Sequence, residues 1–372
     1  MPDEPPSSSP LPASPLREHH AALNAAFGED GGVEVPLSYG DAVGEGIELL
    51  GRAGMADVSH GGRIRLRGDD ALGLLERVCT HDVARQEDDT AAATLLCNAR
   101  GGILSTARLL RLEEEWLLLT PAIAREKTLV HLREHAAGLS VRIDDHTTKT
   151  AELLLAGPAA AEILDAVLPF KISELADGGV TCGTLLIAKY TALRLDLGRI
   201  WCGHVVLPAL LAGQAWNYMT ARAKGRHVRP VGLTALDAIR VEQNLPRYGH
   251  EVNETLDPAT AGLTDRVSKR SDFLGAAAIA KANRRRPARR RVQLTLGATP
   301  GGAAAPATTT PPIPRLGDPI FNVADAEIGA VTSGTWSITR QCPMALAYIA
   351  TSHDDKTVFV QTANARVTAT IL

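Results

Sequence analysis

The residues best placed to do chemistry lie in one stretch, residues 231–263, where a helix pattern runs into polar groups. Arg240 and Glu242 fall in the last turn of this predicted helix, and Tyr248 and Glu251 follow a proline that ends it. Charged and phenolic groups at the end of a rigid helix can bind a ligand through directed hydrogen bonds. The same pattern is typical of an ion pair or of a turn closed by side-chain hydrogen bonds. Both interpretations stay open at this level.

Other polar residues give weaker signals. Asn98 precedes a Gly-Gly pair, so it can either cap a hairpin turn or face a cavity. Asp57 and His60 lie at the end of a predicted strand, where a structural role is favoured. His131 and His135 share one helix face, but no third ligand stands at a recognisable spacing, so we predict no metal site.

The composition argues against several classes of function. The chain of 372 residues carries a net charge of −3, which gives no electrostatic basis for binding nucleic acid or membranes. Its five cysteines are odd in number and widely spaced, with no CxxC, which indicates a reducing compartment. The sequence shows no apolar run long enough to span a membrane and no signal pattern. We therefore predict a cytoplasmic protein.

A dense basic run at residues 284–291 suggests RNA or an acidic partner as an alternative. An Ala/Pro/Thr/Gly-rich insertion, residues 298–314, follows shortly after and is expected to be a mobile loop. No aromatic residues are interleaved with the arginines. We therefore favour a solvated linker, and binding of nucleic acid is not expected.

The elements that must position these groups alternate between strands and helices. Residues 1–16 contain little apolar surface and are expected to form a disordered tail, with a helix over 17–27 after it. Strands at 56–60 and 63–66 are predicted to form a hairpin across Gly61-Gly62. The absence of a long parallel crossover series favours an α+β fold over a doubly wound sheet.

The later part of the chain repeats the mixture and then changes character. Strands are predicted at 94–98, 103–110 and 116–120, and again at 151–156, 185–189 and 191–197. In the helix pattern of residues 231–245, a leucine and isoleucine stripe including Leu233 and Leu236 is expected to be buried. Beyond the basic run only short strand patterns occur, which indicates an all-β C-terminal domain.

Several short motifs, taken in order, resemble those of the aminomethyltransferase (glycine cleavage T-protein) superfamily, which also contains folate-binding iron–sulfur assembly factors. The matching segments are PLSYG at 36–40, GMADVSH at 54–60, NARGGI at 98–103, the stretch 232–251, DFLG at 272–275 and GAVTSG at 329–334. They are collinear from about residue 33 to the end of the chain. As an ordered set they are specific to the superfamily, and less specific to one activity within it.

The resemblance implies a three-domain ring with two mixed antiparallel α+β domains and a C-terminal β-barrel-like domain. Residues 17–52 with 144–245 would form a discontinuous folate-binding domain, and residues 53–143 the second domain. Residues 246–288 would connect these to the barrel at 289–372, which contains the low-complexity loop.

The resemblance also implies a tetrahydrofolate cofactor, or a folate derivative, and one-carbon transfer to it from a carrier or client protein. Arg240, Tyr248 and Glu251 would bind the cofactor, and Asn98 would face the cavity. Asp196 and Arg199 lie in the segment that matches the family's pterin-binding segment.

The sequence departs from the family at the residues expected to react. Ser105 and Thr106 stand where the family carries two acids, and Ser105 takes the position of the expected catalytic acid. Arg199 or Ile200 replaces an acid expected to hold the pterin. Since a hydroxyl cannot supply a negative charge, one hypothesis is a transferase with an altered site. The other is a non-catalytic folate-binding protein that assists maturation of an iron–sulfur protein or another enzyme. The assembly factors' cysteine motif is absent from residues 271–275.

Overall fold

The computed structural model describes residues 11–185, 188–220, 228–297 and 311–372. Within these ranges the α-helices are short and alternate with strands. The helices are α1 Arg17–Ala22, α2 Ala42–Gly51, α3 Ala71–Val78, α4 Arg125–His135, α5 Ala160–Asp165, α6 Ala209–Thr220, α7 Leu233–Glu242, α8 Pro258–Ala261 and α9 Ala276–Asn283.

The strands of the described residues form a hairpin, two larger sheets and a barrel. Before the barrel they are β1 Ala26–Asp30, β2 Val33–Ser38, β3 Gly54–Asp57, β4 Gly62–Arg67, β5 Thr90–Cys97, β6 Ile103–Arg111, β7 Trp116–Thr120, β8 Arg142–Asp145, β9 Thr150–Ala156, β10 Val180–Leu185, β11 Ala188–Arg194, β12 Cys202–Pro208 and β13 Arg229–Pro230. The barrel strands are β14 Arg289–Leu296, β15 Pro319–Phe321, β16 Glu327–Trp336, β17 Pro343–Ala350, β18 Thr357–Gln361 and β19 Arg366–Ile371.

Each sheet buries its own core. The first has the order β10-β11-β12-β9-β3-β13, and α5 and α6 pack on it around Leu155 and Trp216. The second has the order β5-β6-β7-β4-β8 and packs against α3 and α4 around Leu74 and Leu118. The six C-terminal strands close into a barrel, in the order β14-β17-β16-β15-β18-β19. The predicted α+β class and C-terminal barrel are confirmed.

Helix α7 joins the first sheet to the barrel. Ala235 and Ile239 pack against the first sheet, and Val241 packs against Leu346 of the barrel. Of the predicted stripe, Ile239 is buried, whereas Leu233, Leu236 and Leu245 are half-buried. Ala235 and Ala238 complete the buried face beside Ile239.

The predicted hairpin of residues 56–60 and 63–66 is wrong. β3 pairs with β9 in the first sheet, whereas β4 pairs with β7 and β8 in the second. The Gly61-Gly62 segment therefore carries the chain from one sheet to the other. The proposed domain division stays a prediction, although β3 falls inside the range 53–143 and pairs in the first sheet.

The N-terminal predictions also need correction. Leu16 is fully buried in the first core, and the backbone N–H of Glu34 donates to the carbonyl of Pro12. One buried apolar side chain and a strand-like hydrogen bond therefore hold this segment in place. The helix ends at Ala22 rather than at residue 27, and Asn24 adopts a left-handed conformation with φ of 56° before β1 begins.

The structure also bears on the strands predicted at 185–197, on the basic run and on the low-complexity loop. The strands expected at 185–189 and 191–197 are displaced, since β11 runs continuously over Ala188–Arg194. The basic run is not wholly a linker, because Arg289–Leu296 forms β14 of the barrel. Most of the low-complexity loop, residues 298–310, lies outside the described residues, as do residues 1–10 of the tail. No described helix is long and apolar enough to cross a membrane.

Candidate functional site

A cavity of about 420 Å³ lies where the two sheets and α7 meet, and we call it the central cavity. Strand β6 contributes Thr106 and Arg108, and β9 contributes Glu152. The remaining wall is both apolar and charged. It includes Asp30, Val58, His60, Leu119, Leu154, Leu195, Leu197, His204, Leu233, Leu236, Asp237, Arg240, Arg247 and Arg266.

Strand β6 decides which of the two hydroxyl residues reaches the cavity. Successive side chains of a strand point to opposite faces of the sheet. Thr106 lines the cavity, whereas Ser105 is fully buried and its hydroxyl donates to the carbonyl of Thr106. Of the two positions where the family carries acids, position 106 is therefore the one that faces the cavity.

The end of α7 carries a buried charged network. Arg240 donates from Nη1 to Oε2 of Glu251 at 2.7 Å and from Nη2 to the hydroxyl of Ser333 at 2.6 Å. Its Nε donates to Asp237 at 2.8 Å. Ser333 also donates to Oε1 of Glu251. Both carboxylate oxygens of Glu251 therefore accept hydrogen bonds, and the residue is fully buried. Arg240 lies in the cavity wall, but Glu251 acts beneath it as a buried counter-charge.

Glu242, Tyr248 and Asn98 hold the structure together away from the cavity wall. Glu242 accepts hydrogen bonds from the hydroxyl of Ser337 and from backbone N–H groups after β16. Tyr248 is buried, and its hydroxyl donates to the carbonyl of Ile103. Asn98 accepts from two backbone N–H groups within its own hairpin turn, at 2.9 and 3.0 Å. The turn-capping alternative therefore describes Asn98.

The two residues of the proposed pterin segment also lie outside the cavity wall. Arg199 is exposed at the tip of the turn between β11 and β12, where its backbone N–H donates to Gln243. Asp196 forms a bidentate ion pair with Arg194, at 2.7 and 3.0 Å. Of the predicted site residues, the structure therefore places only Arg240 on the central cavity.

Sequence reasoning missed two pairs of histidine and carboxylate on the cavity wall. Nε2 of His60 lies 3.0 Å from Asp30, and Nδ1 of His204 lies 2.8 Å from Glu152. These partners are separated by 30 and 52 positions, so no local spacing signals them. His60 lies in the GMADVSH segment at residues 54–60. Only the pairing of the strands, however, shows that it faces the cavity.

Both carboxylates are held in the charged form. Burial alone raises the pKa of Asp30, but the hydrogen bond from His60 and the charges of His60 and Arg247 lower it to about 2. Burial likewise opposes ionisation of Glu152. The hydrogen bond from His204 and the charges of His204 and Arg63 nevertheless keep its pKa below the ordinary value.

Asp57 has the structural role that was expected of it. It is buried and accepts hydrogen bonds from Nε2 of His20 at 2.8 Å and from the backbone N–H of Ser59 at 2.9 Å. Ser14 donates to it as well, which ties the N-terminal segment to β3.

Helix α4 contains a third candidate metal ligand that was not identified from the sequence. Glu134 joins His131 and His135, and one ligand atom from each lies within 4.8 Å of the others. These residues could hold a metal ion, but they are not part of the cavity wall.

A second cavity of about 470 Å³ lies between the first sheet and α6. Its walls are mostly apolar and include Leu155, Leu168, Leu211 and Tyr218, with Lys189 as the charged residue among them. It shares only Leu154 with the central cavity and contains neither histidine–carboxylate pair.

Comparisons with known proteins agree with this architecture. The GCVT N-terminal domain model matches residues 16–271, and the glycine cleavage T-protein C-terminal barrel domain model matches residues 304–372. The aminomethyltransferase of Geobacillus kaustophilus is 31% identical over 349 residues, which cover 91% of this chain and 90% of the relative. That of Rubrobacter xylanophilus is 32% identical over 349 residues, covering 91% and 87%.

A solved structure matches the whole fold. The crystal structure of glycine cleavage system aminomethyltransferase T from Bartonella henselae has a TM-score of 0.86 and 26% identity, and covers 97% of each chain. The family models together span both sheets and the barrel strands from β15 onward, in the same order as the motifs in the sequence. The chain therefore belongs to the aminomethyltransferase, or glycine cleavage T-protein, family.

Proposed function

We propose that the chain binds tetrahydrofolate, or a folate derivative, in the central cavity and transfers an aminomethyl or methyl unit with an altered site. One observation supports this above all. At the junction of both sheets and α7, the cavity combines leucine walls with carboxylates held ionised by histidine and arginine. Its volume of about 420 Å³ falls in the range of small-molecule sites.

The donor set suits a folate. A flat pterin ring needs apolar surface on its faces, which Leu154, Leu233 and Leu236 provide. Its N–H edge needs acceptors, and the ionised carboxylates of Glu152 and Asp30 are strong acceptors. His60 lines the cavity, and its Nδ1 is a buried polar atom without a hydrogen-bond partner among the described residues.

When bound, tetrahydrofolate supplies the nitrogen atoms that accept the one-carbon unit. The protein must orient the cofactor and stabilise positive charge that develops on it. Thr106 faces the cavity at the position where the family carries an acid, but its hydroxyl is neutral. Glu152, Asp30 and Asp237 therefore carry the negative charge of this wall. The donor is proposed to be a carrier protein.

The alternative is a non-catalytic folate-binding protein that assists maturation of an iron–sulfur protein or another enzyme. The neutral residue at position 106 favours it, because a binder needs no charge stabilisation at that point. The lack of a cysteine motif at residues 271–275 favours the transferase.

Calorimetric titration of the protein with tetrahydrofolate tests both forms of the proposal. Both require binding with one site per chain. An absence of heat at high micromolar cofactor, confirmed by an absence of thermal stabilisation, contradicts both.

Restoring the acid separates transferase from binder. We compare wild type with Thr106→Asp, which places a carboxylate in the cavity, and with Ser105→Asp, which buries one outside it. Measurable one-carbon transfer by wild type supports the transferase. Transfer that is absent in wild type and gained in Thr106→Asp but not in Ser105→Asp supports the binder.

A further inference from the structure

The charged residues of the central cavity are not equally neutralised. Arg240 is bonded to Asp237 and Glu251, and Arg247 is bonded to Asp30 and Asp237. The three acidic residues of the wall are Asp30, Asp237 and Glu152. The first two pair with these arginines, and Glu152 pairs with His204. Arg240 and Arg247 therefore offer an anionic group of a ligand little uncompensated positive charge.

Arg108 and Arg266 differ from the other arginines of the wall. Both are half-buried and line the cavity. Among the described residues, neither guanidinium has a carboxylate within 4.0 Å or a hydrogen-bond partner. Asp177 and Asp265 influence Arg108 only through longer-range attraction. Two guanidinium groups therefore face the cavity with their donors free.

Keeping these two charges together without a partner is unfavourable. Burial lowers the pKa of both arginines, and the charge of Arg108 lowers the pKa of Arg266 further. The arrangement becomes favourable when an anion enters between them, because a carboxylate can accept paired hydrogen bonds from guanidinium groups.

The position of Arg108 relates this pair to the altered site. Thr106 and Arg108 are two residues apart on β6, so both side chains point to the same face of the sheet. The wall is therefore neutral at position 106, where the family carries an acid, and positively charged at position 108.

We propose that Arg108 and Arg266 form a subsite for a carboxylate of the ligand in the central cavity. This inference rests on the proposed function and specifies one part of it. The carboxylate belongs either to the glutamyl tail of the folate or to a small amino acid that binds beside the pterin. In both cases the two guanidinium groups recognise the same chemical group.

Binding measurements with matched ligands test the subsite. Tetrahydrofolate is compared with its glutamyl diamide, in which both carboxylates are replaced by neutral carboxamides. Glycine is compared with methylamine on protein saturated with that diamide. The variants are Arg108→Gln, Arg266→Gln and their combination, with Arg85→Gln as control because its side chain is 87% exposed.

Wild type is expected to prefer the carboxylate-bearing ligand by about tenfold or more in one of the two comparisons, which identifies the source of the carboxylate. The combined variant is expected to lose that preference while binding the diamide as wild type does, which also shows that it is folded. Arg85→Gln is expected to behave as wild type.

Two results overturn the inference while leaving the proposed function intact. One is equal affinity for both members of each ligand pair, and the other is a preference that persists in the combined variant. Failure of wild type to bind either pterin is a different result, since it contradicts the proposed function and the subsite with it.

Discussion

Nη1 of Arg240 lies 2.7 Å from Oε2 of Glu251, in a buried pair that links the end of α7 to the segment following it. Ser333 of β16 bonds both side chains, so the same network reaches the barrel. Arg240 thus serves two purposes at once. It supplies part of the cavity wall, and it neutralises a carboxylate that has no access to solvent.

Removing Arg240 alone should be costly. Arg240→Met leaves the buried Glu251 without its counter-charge, which we expect to lower the free energy of unfolding by about 3–5 kcal/mol. Urea unfolding of Arg240→Met, Glu251→Leu and the double variant measures this. The double variant should be much less destabilised than the sum of the single changes. Additive effects would show that the pair is not coupled.

Asp30 should make the free energy of unfolding depend on pH in the acidic range. Its pKa falls from 3.8 to about 2 in the folded protein, so its contribution is present above the unfolded value and is lost as pH falls through the folded value. The destabilisation caused by Asp30→Asn should therefore be largest above about pH 5 and shrink towards pH 2. Unfolding measured across this range checks the trend.

A surface aspartate provides the comparison for this experiment. Asp325 pairs with Arg366, but its side chain is 74% exposed. Asp325→Asn should change stability little at any pH, because exposed ion pairs contribute little. A destabilisation by Asp30→Asn that does not vary with pH would rule out the titration explanation.

The N-terminal segment should contribute to stability. Leu16 is fully buried in the first core, so Leu16→Ala should cost about 2–5 kcal/mol. Leu11→Ala is the matched control, because Leu11 is 44% exposed and its truncation should change stability by less than about 0.5 kcal/mol. Thermal or urea unfolding distinguishes the two. Equal, small effects would mean that the segment is not packed in solution.

Elements formed by residues close together in the chain could be predicted from the sequence. The helix over Leu233–Glu242 and the hairpin of β5 and β6 follow from patterns within a few residues. Pairing between strands that are distant in the chain could not be predicted. β3 and β4 are adjacent in the chain, but β3 pairs with β9, about a hundred residues away, and this choice depends on the whole sheet.

The candidate site was harder to predict than the fold for the same reason. The alternation of β6 shows that Ser105 and Thr106 point to opposite faces, but not which face borders a cavity. Asp30, His60 and Glu152 converge only because the hairpin β1–β2, the crossing after β3 and strand β9 meet there. Tyr248 and Glu251 belong to the best-matched motif, yet their contacts support the cavity from behind.

The central cavity is the proposed folate site, and titration of two cavity-filling variants with tetrahydrofolate tests this assignment. Thr106→Trp places a large ring in the central cavity, whereas Tyr218→Trp enlarges a side chain in the second cavity. Wild type and Tyr218→Trp are predicted to bind with similar affinity, and Thr106→Trp is predicted to lose binding while remaining folded. Unchanged binding by folded Thr106→Trp, or loss of binding confined to Tyr218→Trp, would contradict the claim.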